Sequence, residues 1–384
     1  MTPPPLALYV HLPWCVRKCP YCDFNSHRAG DNVPKERYIH ALLADLGREA
    51  ANAAGRELHS IFLGGGTPSL FSPGEINRVL QAVRQNFKLA ANAEITMEAN
   101  PGTVECGSPR DYREAGITRL SIGAQSFDDD MLTALGRIHN AADIRRAVQD
   151  VRQAGFDNFN IDLMHGLPGQ TVEMALADLA AAVALLPTHI SWYQLTLEPN
   201  TVFYARPPKN LPDDDLAFDI QESGQALLRE HGFEQYEISA YARDGRYCRH
   251  NLNYWNFGDY LAVGAGAHGK LTTPAGVHRY QKPANPLQYM LQQEMSAVDV
   301  EMTPLPAEDL VFEFMLNALR LNAGFQEKDF IARTGLTAAD LVTASKTARE
   351  KELIERNGDG SWQPTDLGRR FLNDLQSEFM LDRA

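Results

Sequence analysis

Basic charge and long apolar runs are both scarce in this chain of 384 residues. It has 36 Lys and Arg against 49 Asp and Glu, which gives a formal net charge of −13. Proteins that hold a nucleic-acid backbone neutralise phosphates with a basic surface, so we expect no nucleic-acid partner. The longest apolar stretch runs from Met174 to Leu186, is interrupted by Asp178 and is too short to span a bilayer. We therefore expect no transmembrane segment.

Cysteine is also scarce, with five residues in the chain, an odd number. The opening Met1-Thr2-Pro3-Pro4-Pro5 has neither the basic residue nor the apolar run of a secretory signal. We therefore expect a cytoplasmic, reducing location, where structural disulfides are rare. Three of the five cysteines, Cys15, Cys19 and Cys22, lie within eight residues of one another. They are the most informative feature of the sequence.

Cys15, Cys19 and Cys22 have the spacing C-x3-C-x2-C. Thiolates this close together predict a site for a soft metal or an iron–sulfur cluster. Three thiolates leave one iron of a four-iron cluster open to another ligand. A zinc site with His11 or His27 as fourth ligand is the alternative. Structural zinc usually takes its ligands as two pairs far apart in the sequence, and the chain has no second pair.

Short runs of apolar and β-branched residues alternate with stretches of helical periodicity over the first two-thirds of the chain. We predict strands over Leu6–Leu12, Leu58–Leu63, Glu94–Ala99, Thr118–Gln125, Phe156–Met164 and His189–Leu197. We predict helices over Tyr38–Ala54, Ala141–Ala154, Thr171–Leu186 and Asp213–His231, and two more that begin at Ser72-Pro73 and Ser108-Pro109. This order predicts an α/β fold with a parallel sheet. A doubly wound sheet and a barrel-like (β/α)6 arrangement both fit.

The pattern changes near residue 244. Residues 244–302 are predicted to be a loop-rich extension that contains the Gly-rich run Gly264–Gly269. From residue 303 we predict helices over Asp309–Leu321, Glu327–Arg333, Ala338–Lys351 and Asp366–Phe379, with a hairpin over Leu353–Trp362. The predicted parts are therefore 1–243, 244–302 and 303–384, the last a winged-helix-like module. Its acidic residues outnumber its basic ones, which disfavours a DNA-reading role.

The cysteine motif, with Tyr21 before its last cysteine, resembles the signature of the radical S-adenosylmethionine (SAM) superfamily. That resemblance implies a 4Fe–4S cluster whose open iron binds SAM. Polar residues at the predicted strand ends fit the same site, because parallel strands bring their carboxyl ends to one face. The glycines of Gly64–Pro68 allow close backbone approach to a ligand. A carboxylate such as Glu98 or Asp162 suits a ribose or an ammonium group, and Gln125 and Arg137 suit a carboxylate or an adenosine edge.

Longer motifs resemble the oxygen-independent coproporphyrinogen dehydrogenase family, and within it the HemW branch of haem chaperones. The matching segments are Tyr9–Cys15, Cys22–Ser26, Gly64–Ser69, Glu98–Pro101, Gly123–Phe127 and Ile161–Gly169. The resemblance implies a partial (β/α)6 barrel of the radical SAM type, with a 4Fe–4S cluster on Cys15, Cys19 and Cys22. It implies SAM contacts from Tyr9, Gly65, Gly66, Thr67, Glu98, Gln125, Arg137 and Asp162. Tyr21 is similar to an aromatic residue that packs near the cluster.

The sequence departs from the dehydrogenases at Phe24, where they carry a fourth cysteine. Those enzymes also have a longer segment before the first strand, whereas eight residues precede Tyr9 here. Both differences disfavour oxidative decarboxylation of coproporphyrinogen. We therefore expect a haem chaperone that delivers haem to acceptor proteins. A coproporphyrinogen dehydrogenase is the alternative, and another radical SAM enzyme, such as an RNA-modifying one, fits the charge and the motifs less well.

A second motif points to haem. His250–Trp255, with the sequence HNLNYW, resembles a segment that is characteristic of the chaperone branch and linked there to haem. A neutral imidazole is a good axial ligand of haem iron, so His250 is the candidate ligand and Cys248 the alternative. The chain has no C-x-x-C-H site for covalent attachment. The sequence leaves a homodimer open.

Overall fold

The computed structural model describes residues 3–102, 106–295 and 300–380, so the outer ends of the predicted terminal parts, at 1 and 384, lie outside the described residues. Elements of the first part are β1 Leu6–Leu12, β2 Trp14–Cys15, β3 His27–Arg28, α1 Lys35–Ala53, β4 Glu57–Gly65, α2 Pro73–Asn86, β5 Lys88–Ala99, α3 Pro109–Ala115, β6 Arg119–Gln125, α4 Asp129–Ala134, α5 Ala141–Gln153, β7 Phe159–His165, α6 Val172–Ala184, β8 His189–Gln194, α7 Val202–Ala205, α8 Asp214–Glu230, β9 Glu234–Glu237 and β10 Ala240–Ala242. They are followed by α9 Arg249–Trp255, β11 Asp259–Val263, β12 His268–Thr273, β13 Gly276–Gln281 and α10 Pro286–Gln293. The last part contains β14 Thr303–Pro304, α11 Ala307–Ala318, β15 Phe325–Gln326, α12 Glu327–Thr334, α13 Ala338–Ala344, α14 Lys346–Glu350, β16 Ile354–Arg356, β17 Ser361–Pro364, α15 Asp366–Arg370 and α16 Leu372–Ser377.

Twelve of the described strands form one sheet, in the order β14-β13-β12-β11-β1-β4-β5-β6-β7-β8-β10-β9. The strands from β11 to β8 in that order are parallel, while β10 runs antiparallel to β8. All six predicted strands are present, and the predicted α/β class with a parallel sheet is confirmed. No helix within the described ranges has both the length and the apolar content needed to cross a membrane.

The parallel strands carry polar side chains on one face and apolar side chains on the other. On β5, for example, Ile95 and Met97 pack in the main apolar core, whereas Glu94, Thr96 and Glu98 point to the opposite face. Successive side chains of a strand point to opposite faces, so one alternating sequence supplies both surfaces. Burial of each large apolar side chain contributes roughly 1.5–3 kcal/mol, which holds the helices against the outside of the curved sheet. The inner, concave face of the sheet therefore carries the polar side chains.

Local sequence fixes where the helices begin. The helices predicted to begin at Ser72-Pro73 and Ser108-Pro109 do so: Ser72 and Ser108 each accept a hydrogen bond from the backbone amide three residues on, and Glu75 and Asp111 complete two capping boxes. Such a cap contributes about 1 kcal/mol. Two predicted helices in the last part are each broken into two. One break is at Ser345, and the other is at Phe371, whose backbone (φ −114, ψ 50) is not helical.

The predicted loop-rich character of residues 244–302 is wrong. This stretch contains α9, β11, β12, β13 and α10, and β11 pairs in parallel with β1 over Leu6–Val10. The sheet therefore continues across the predicted boundary between 243 and 244. The short strand β11 is stabilised by pairing with a strand 250 residues earlier in the chain, which local periodicity does not reveal. Gly264 follows it with φ +102, where a Cβ would overlap the carbonyl oxygen of His11.

A buried charge cluster fastens this extension to the first helix. Lys282, just after β13, donates to Asp45 at 2.7 Å and to Glu49 at 2.6 Å, and all three side chains are buried. Tyr289 of α10 also donates to Asp45. Burial raises the pKa of Asp45, and the Lys282 charge opposes that shift. The two carboxylates therefore depend on Lys282 for their charge balance.

Lys282→Met should lower the free energy of unfolding by about 3–5 kcal/mol, because it leaves two carboxylates buried without their cation. Arg37→Met is the matched control, since it breaks an exposed pair between α1 and Glu294 that should contribute less than about 1 kcal/mol. Equilibrium urea unfolding measures both. If the two variants lost the same free energy of unfolding, burial would not explain how much the Lys282 cluster contributes to stability.

Candidate cofactor cavity

One cavity of about 430 Å³ lies at the carboxyl ends of the parallel strands. Eleven of the residues predicted from the sequence line it: Cys15, Cys19, Tyr21, Cys22, Gly65, Gly66, Thr67, Glu98, Gln125, Arg137 and Asp162. Ten of them come from β2, from the loop after it, or from β4, β5, β6 and β7 and the residues that directly follow β4, and Arg137 comes from the segment between α4 and α5. The fold therefore brings together residues up to 147 positions apart. Tyr9 and His250 are not among the lining residues.

Cys15 ends β2, and Cys19 and Cys22 lie on the loop between β2 and β3. These two-residue strands pair in parallel, and Cys22 N donates to Cys19 O at 3.2 Å, which folds the loop back on itself. All three thiols are free and half-buried. Burial raises the pKa of the Cys15 and Cys22 thiols. A bound metal would reverse that shift, because a coordinating thiol is deprotonated.

Three thiols that line one cavity fit the donor set of an iron–sulfur cluster. Among the residues that the structure describes, no three His, Cys, Asp or Glu side chains converge closely enough to share one metal ion. His11, a proposed zinc ligand, uses its two ring nitrogens for Tyr9 at 3.1 Å and Asn25 at 2.9 Å. A four-iron cluster holds thiolates at separate corners and so accepts a wider set of sulfurs. Three thiols at one cavity match that requirement.

The glycine loop after β4 packs tightly against the thiol loop. Gly65 has φ +109, and a Cβ there would overlap the ring of His11, while a Cβ on Gly66 would lie 2.6 Å from the Trp14 carbonyl oxygen. The amide groups of this loop are already paired, with Gly65 donating to Glu98, Gly66 to Leu12 and Thr67 to Trp14. The glycines thus allow contact between two loops.

Two half-buried carboxyl groups, those of Glu98 and Asp162, face the cavity. Burial raises the pKa of Glu98 to about 8, the neighbouring Asp162 adds to the shift, and the Gly65 amide opposes it. Burial also raises the pKa of Asp162, although Ser121 and Asn160 donate to it at 2.9 and 2.7 Å. The protein supplies too few positive partners to keep both carboxyls ionised. A cationic ligand would favour their charged forms.

Arg137 connects the thiol loop to β6, and Gln125 is the last residue of that strand. Arg137 donates to Cys19 Sγ at 3.5 Å, to Asn100 Oδ1 and to the Gly123 carbonyl at 2.9 Å. Gln125 has φ +73, at a register irregularity between β6 and β7, and accepts a hydrogen bond from Tyr193 at 2.7 Å. Such strain and bulges at a strand end are typical of functional sites, where they redirect a side chain.

Tyr21, at the cavity wall, and Tyr9 and His250, outside it, also pack against other parts of the fold. The Tyr21 ring lies 6.4 Å from Phe203, whose amide donates to Pro20 O, so α7 packs against the thiol loop. The hydroxyl of Tyr9 donates to or accepts from His11, and its ring stacks on Phe62. His250 is 1% exposed, and its ring lies 5.2 Å from that of Phe62, on the inner face of β4.

Comparison with known proteins decides the family. Residues 9–181 match the radical SAM superfamily model, and residues 305–371 match that of the HemN C-terminal domain. The chain is 50% identical to the "Heme chaperone HemW" of Haemophilus influenzae and 49% identical to that of Escherichia coli, in each case over 99% of both chains. The chain belongs to the HemW family of the radical SAM superfamily.

A solved structure supports the architecture expected for the HemW family. Coproporphyrinogen III oxidase (HemN) from Escherichia coli matches with a TM-score of 0.82 at 24% identity, over 98% of this chain and 90% of that one. At that identity the likeness establishes the fold alone. The predicted radical SAM barrel with an additional C-terminal domain is confirmed.

The sequence prediction missed several residues that line or support the cavity. Asn100 donates to Thr67 at 2.9 Å and accepts from Arg137, and Ser121, Tyr193, Ser239 and Arg320 also line the wall. Ser121 and Tyr193 are on predicted strands, and their alternation with apolar neighbours indicates the inward face. Arg320 lies beyond α11, and no local pattern connects it to the barrel.

The half-buried carboxyl group of Glu98 should make the stability of the metal-free protein depend on pH. Its folded pKa of about 8 lies above the unfolded value of about 4.3, so the folded state holds the extra proton between them. Stability is lost as pH rises through this range, by up to ~1.4 kcal/mol per unit. Glu98→Gln removes that loss, so its stability relative to wild type should increase from pH 5 to pH 8 in urea unfolding.

Glu57→Gln, at an exposed position on β4, is the control and should show a constant difference from wild type. A constant difference for Glu98→Gln as well would contradict the assigned protonation of Glu98.

Proposed function

We propose that this protein is a haem chaperone that binds haem, a 4Fe–4S cluster and SAM, and delivers haem to acceptor proteins. The observation that carries the proposal is 50% identity over 99% of the chain to a protein named "Heme chaperone HemW". That likeness covers the barrel, the α9 segment and the C-terminal domain together. A cytoplasmic location and a homodimer stay predictions from the sequence.

Cys15, Cys19 and Cys22 would hold the cluster, and the neighbouring cavity would hold SAM. When bound, the cluster supplies electrons and an open coordination position for SAM. Arg137 fixes the thiol loop against β6 through Cys19 and the Gly123 carbonyl. The carboxyl groups of Glu98 and Asp162 suit the ammonium and ribose of SAM, as the family resemblance implies.

Coproporphyrinogen dehydrogenase activity is the second candidate, and it has weaker support. The residue at the fourth-cysteine position, Phe24, lines the cavity and is 59% exposed. Its ring cannot replace a thiolate. The structural likeness to HemN at 24% identity supports a shared fold without a shared reaction.

Anaerobic assays separate the two functions. The reconstituted protein should bind about one haem per chain and transfer it to apomyoglobin, seen as the shift of the haem absorbance to that of myoglobin. With SAM, a reductant and coproporphyrinogen III, it should form no protoporphyrinogen. Turnover of coproporphyrinogen together with no binding of haem would overturn the proposal.

His250 remains the proposed haem ligand, although its ring is engaged in the structure. Its Nδ1 lies 3.1 Å from Ser60 Oγ and its Nε2 lies 2.8 Å from the Tyr254 hydroxyl. Burial lowers the pKa of His250 to about 3, so the imidazole is neutral, as an iron ligand must be. Ligation therefore requires Nε2 to leave Tyr254, with a displacement of α9. Burial raises the pKa of Cys248 to about 12, which makes its thiolate the less favourable ligand.

His250→Ala should weaken haem binding at least tenfold and shift the Soret band, because the axial nitrogen is lost. Tyr254→Phe keeps the ring and frees Nε2, so it should bind haem as tightly as wild type or more tightly. Haem titration followed by absorbance measures both. An unchanged Soret band and affinity in His250→Ala would remove His250 as the ligand.

A further inference from the structure

Arg320 brings a positive charge from the C-terminal part of the chain into the wall of the barrel cavity. It follows α11 and lines the same cavity as the three cysteines, together with Ser239. Ser239 lies between β9 and β10, and its carbonyl accepts from Trp192 N of β8 at 2.8 Å. Arg320 is thus placed at the β10–β9 edge of the curved sheet, where β9 is the last strand in the order.

The backbone around Arg320 is fastened to β9. Leu321 forms a β-bridge with Glu237, and Asn322 donates to Tyr236 O at 3.1 Å and to Gln235 O at 2.8 Å. The guanidinium lies 4.3 Å from the ring centre of Trp255, the last residue of the HNLNYW segment. Backbone pairing and stacking therefore hold the side chain in place before any ligand arrives.

The guanidinium keeps donors free. Its Nη2 donates to Glu237 at 2.7 Å, whereas its Nε has no hydrogen-bond partner among the described residues. Arg has five N–H donors, so one carboxylate oxygen does not saturate it. Glu237 also accepts from the backbone and the hydroxyl of Ser239. A second carboxylate can bind such a guanidinium through two parallel hydrogen bonds.

We propose that Arg320 binds a carboxylate of the tetrapyrrole that the protein carries, namely a haem propionate. This inference rests on the proposed haem-chaperone function and adds the group by which the cargo is recognised. Its position against Trp255 places the carboxylate contact beside the segment that holds His250. SAM also has a carboxylate, but Arg17, Lys18 and Arg137 are cations on or next to the thiol loop, so SAM does not need Arg320.

The test compares haemin with haemin dimethyl ester, whose propionates are masked, on the full-length protein in one mild detergent. Wild type should prefer haemin about tenfold or more by fluorescence titration. Arg320→Gln should lose most of that preference, and Arg320→Lys should keep part of it. The same difference should appear with iron-free protoporphyrin and its dimethyl ester, because the recognition does not involve iron.

Two further variants separate ligand binding from a structural ion pair. Glu237→Gln breaks the pair but keeps the guanidinium, so it should retain the preference for free propionates. Arg356→Gln is the matched control, because Arg356 also lies over a tryptophan ring, Trp362, and pairs with a glutamate, Glu327, away from the cavity. It should leave the preference unchanged.

Each outcome decides a separate point. Equal binding of haemin and its ester by wild type, or a wild-type preference in Arg320→Gln, overturns the role of Arg320 while haem binding stands. Loss of SAM affinity in reconstituted Arg320→Gln, with the porphyrin preference intact, assigns Arg320 to SAM and overturns the proposal. If wild type binds neither porphyrin, the proposed function fails and this inference fails with it.

Discussion

The main physical constraint on this structure is that ionisable side chains lie inside the barrel, where water does not solvate their charged forms fully. The helices cover the apolar face of the sheet, so the strands direct their polar residues inward. There the carboxyls of Glu98 and Asp162 have raised pKa values because burial disfavours their charged forms. A cationic ligand would supply the missing charge. The polar interior is thus destabilising for the empty protein and favourable for a charged cofactor.

Carboxyl groups are stabilised in a different way at the Lys282 cluster than at the cavity. In the Lys282 cluster, the chain itself supplies both the carboxylates of Asp45 and Glu49 and the cation that pairs with them. This cluster attaches α1 to the extension formed by residues 244–302. At the cavity, Arg137 is committed to Asn100, Gly123 and the thiol loop and does not reach the carboxyls. Fully paired buried charges fasten one part of the fold to another. Ionisable groups with too few partners, such as the carboxyl groups at the cavity, can instead bind a charged ligand.

The sequence predicted those structural features that are determined by residues close together in the chain. The alternation of strand-like and helical segments predicted the six strands, and helix-capping residues predicted helix starts. Because the strands are parallel, Glu98, Gln125 and Asp162 could be predicted to lie at one cavity. Long-range pairing could not be read in this way, so β11 was expected to be a loop. Arg320 was missed because it reaches the cavity through backbone pairing with β9. The motif around His250 was found, but the burial of its ring depends on β4, which local sequence does not indicate.

The central claim is that three thiols hold a four-iron cluster with one open iron at this cavity. Mössbauer spectra of anaerobically reconstituted, ⁵⁷Fe-labelled protein test it most directly. We predict about four irons per chain, with SAM altering the signal of one iron, and with the cluster lost in Cys19→Ala and kept in Cys106→Ala. Irons that SAM leaves unchanged, or one tetrahedral ion per chain, would contradict the account.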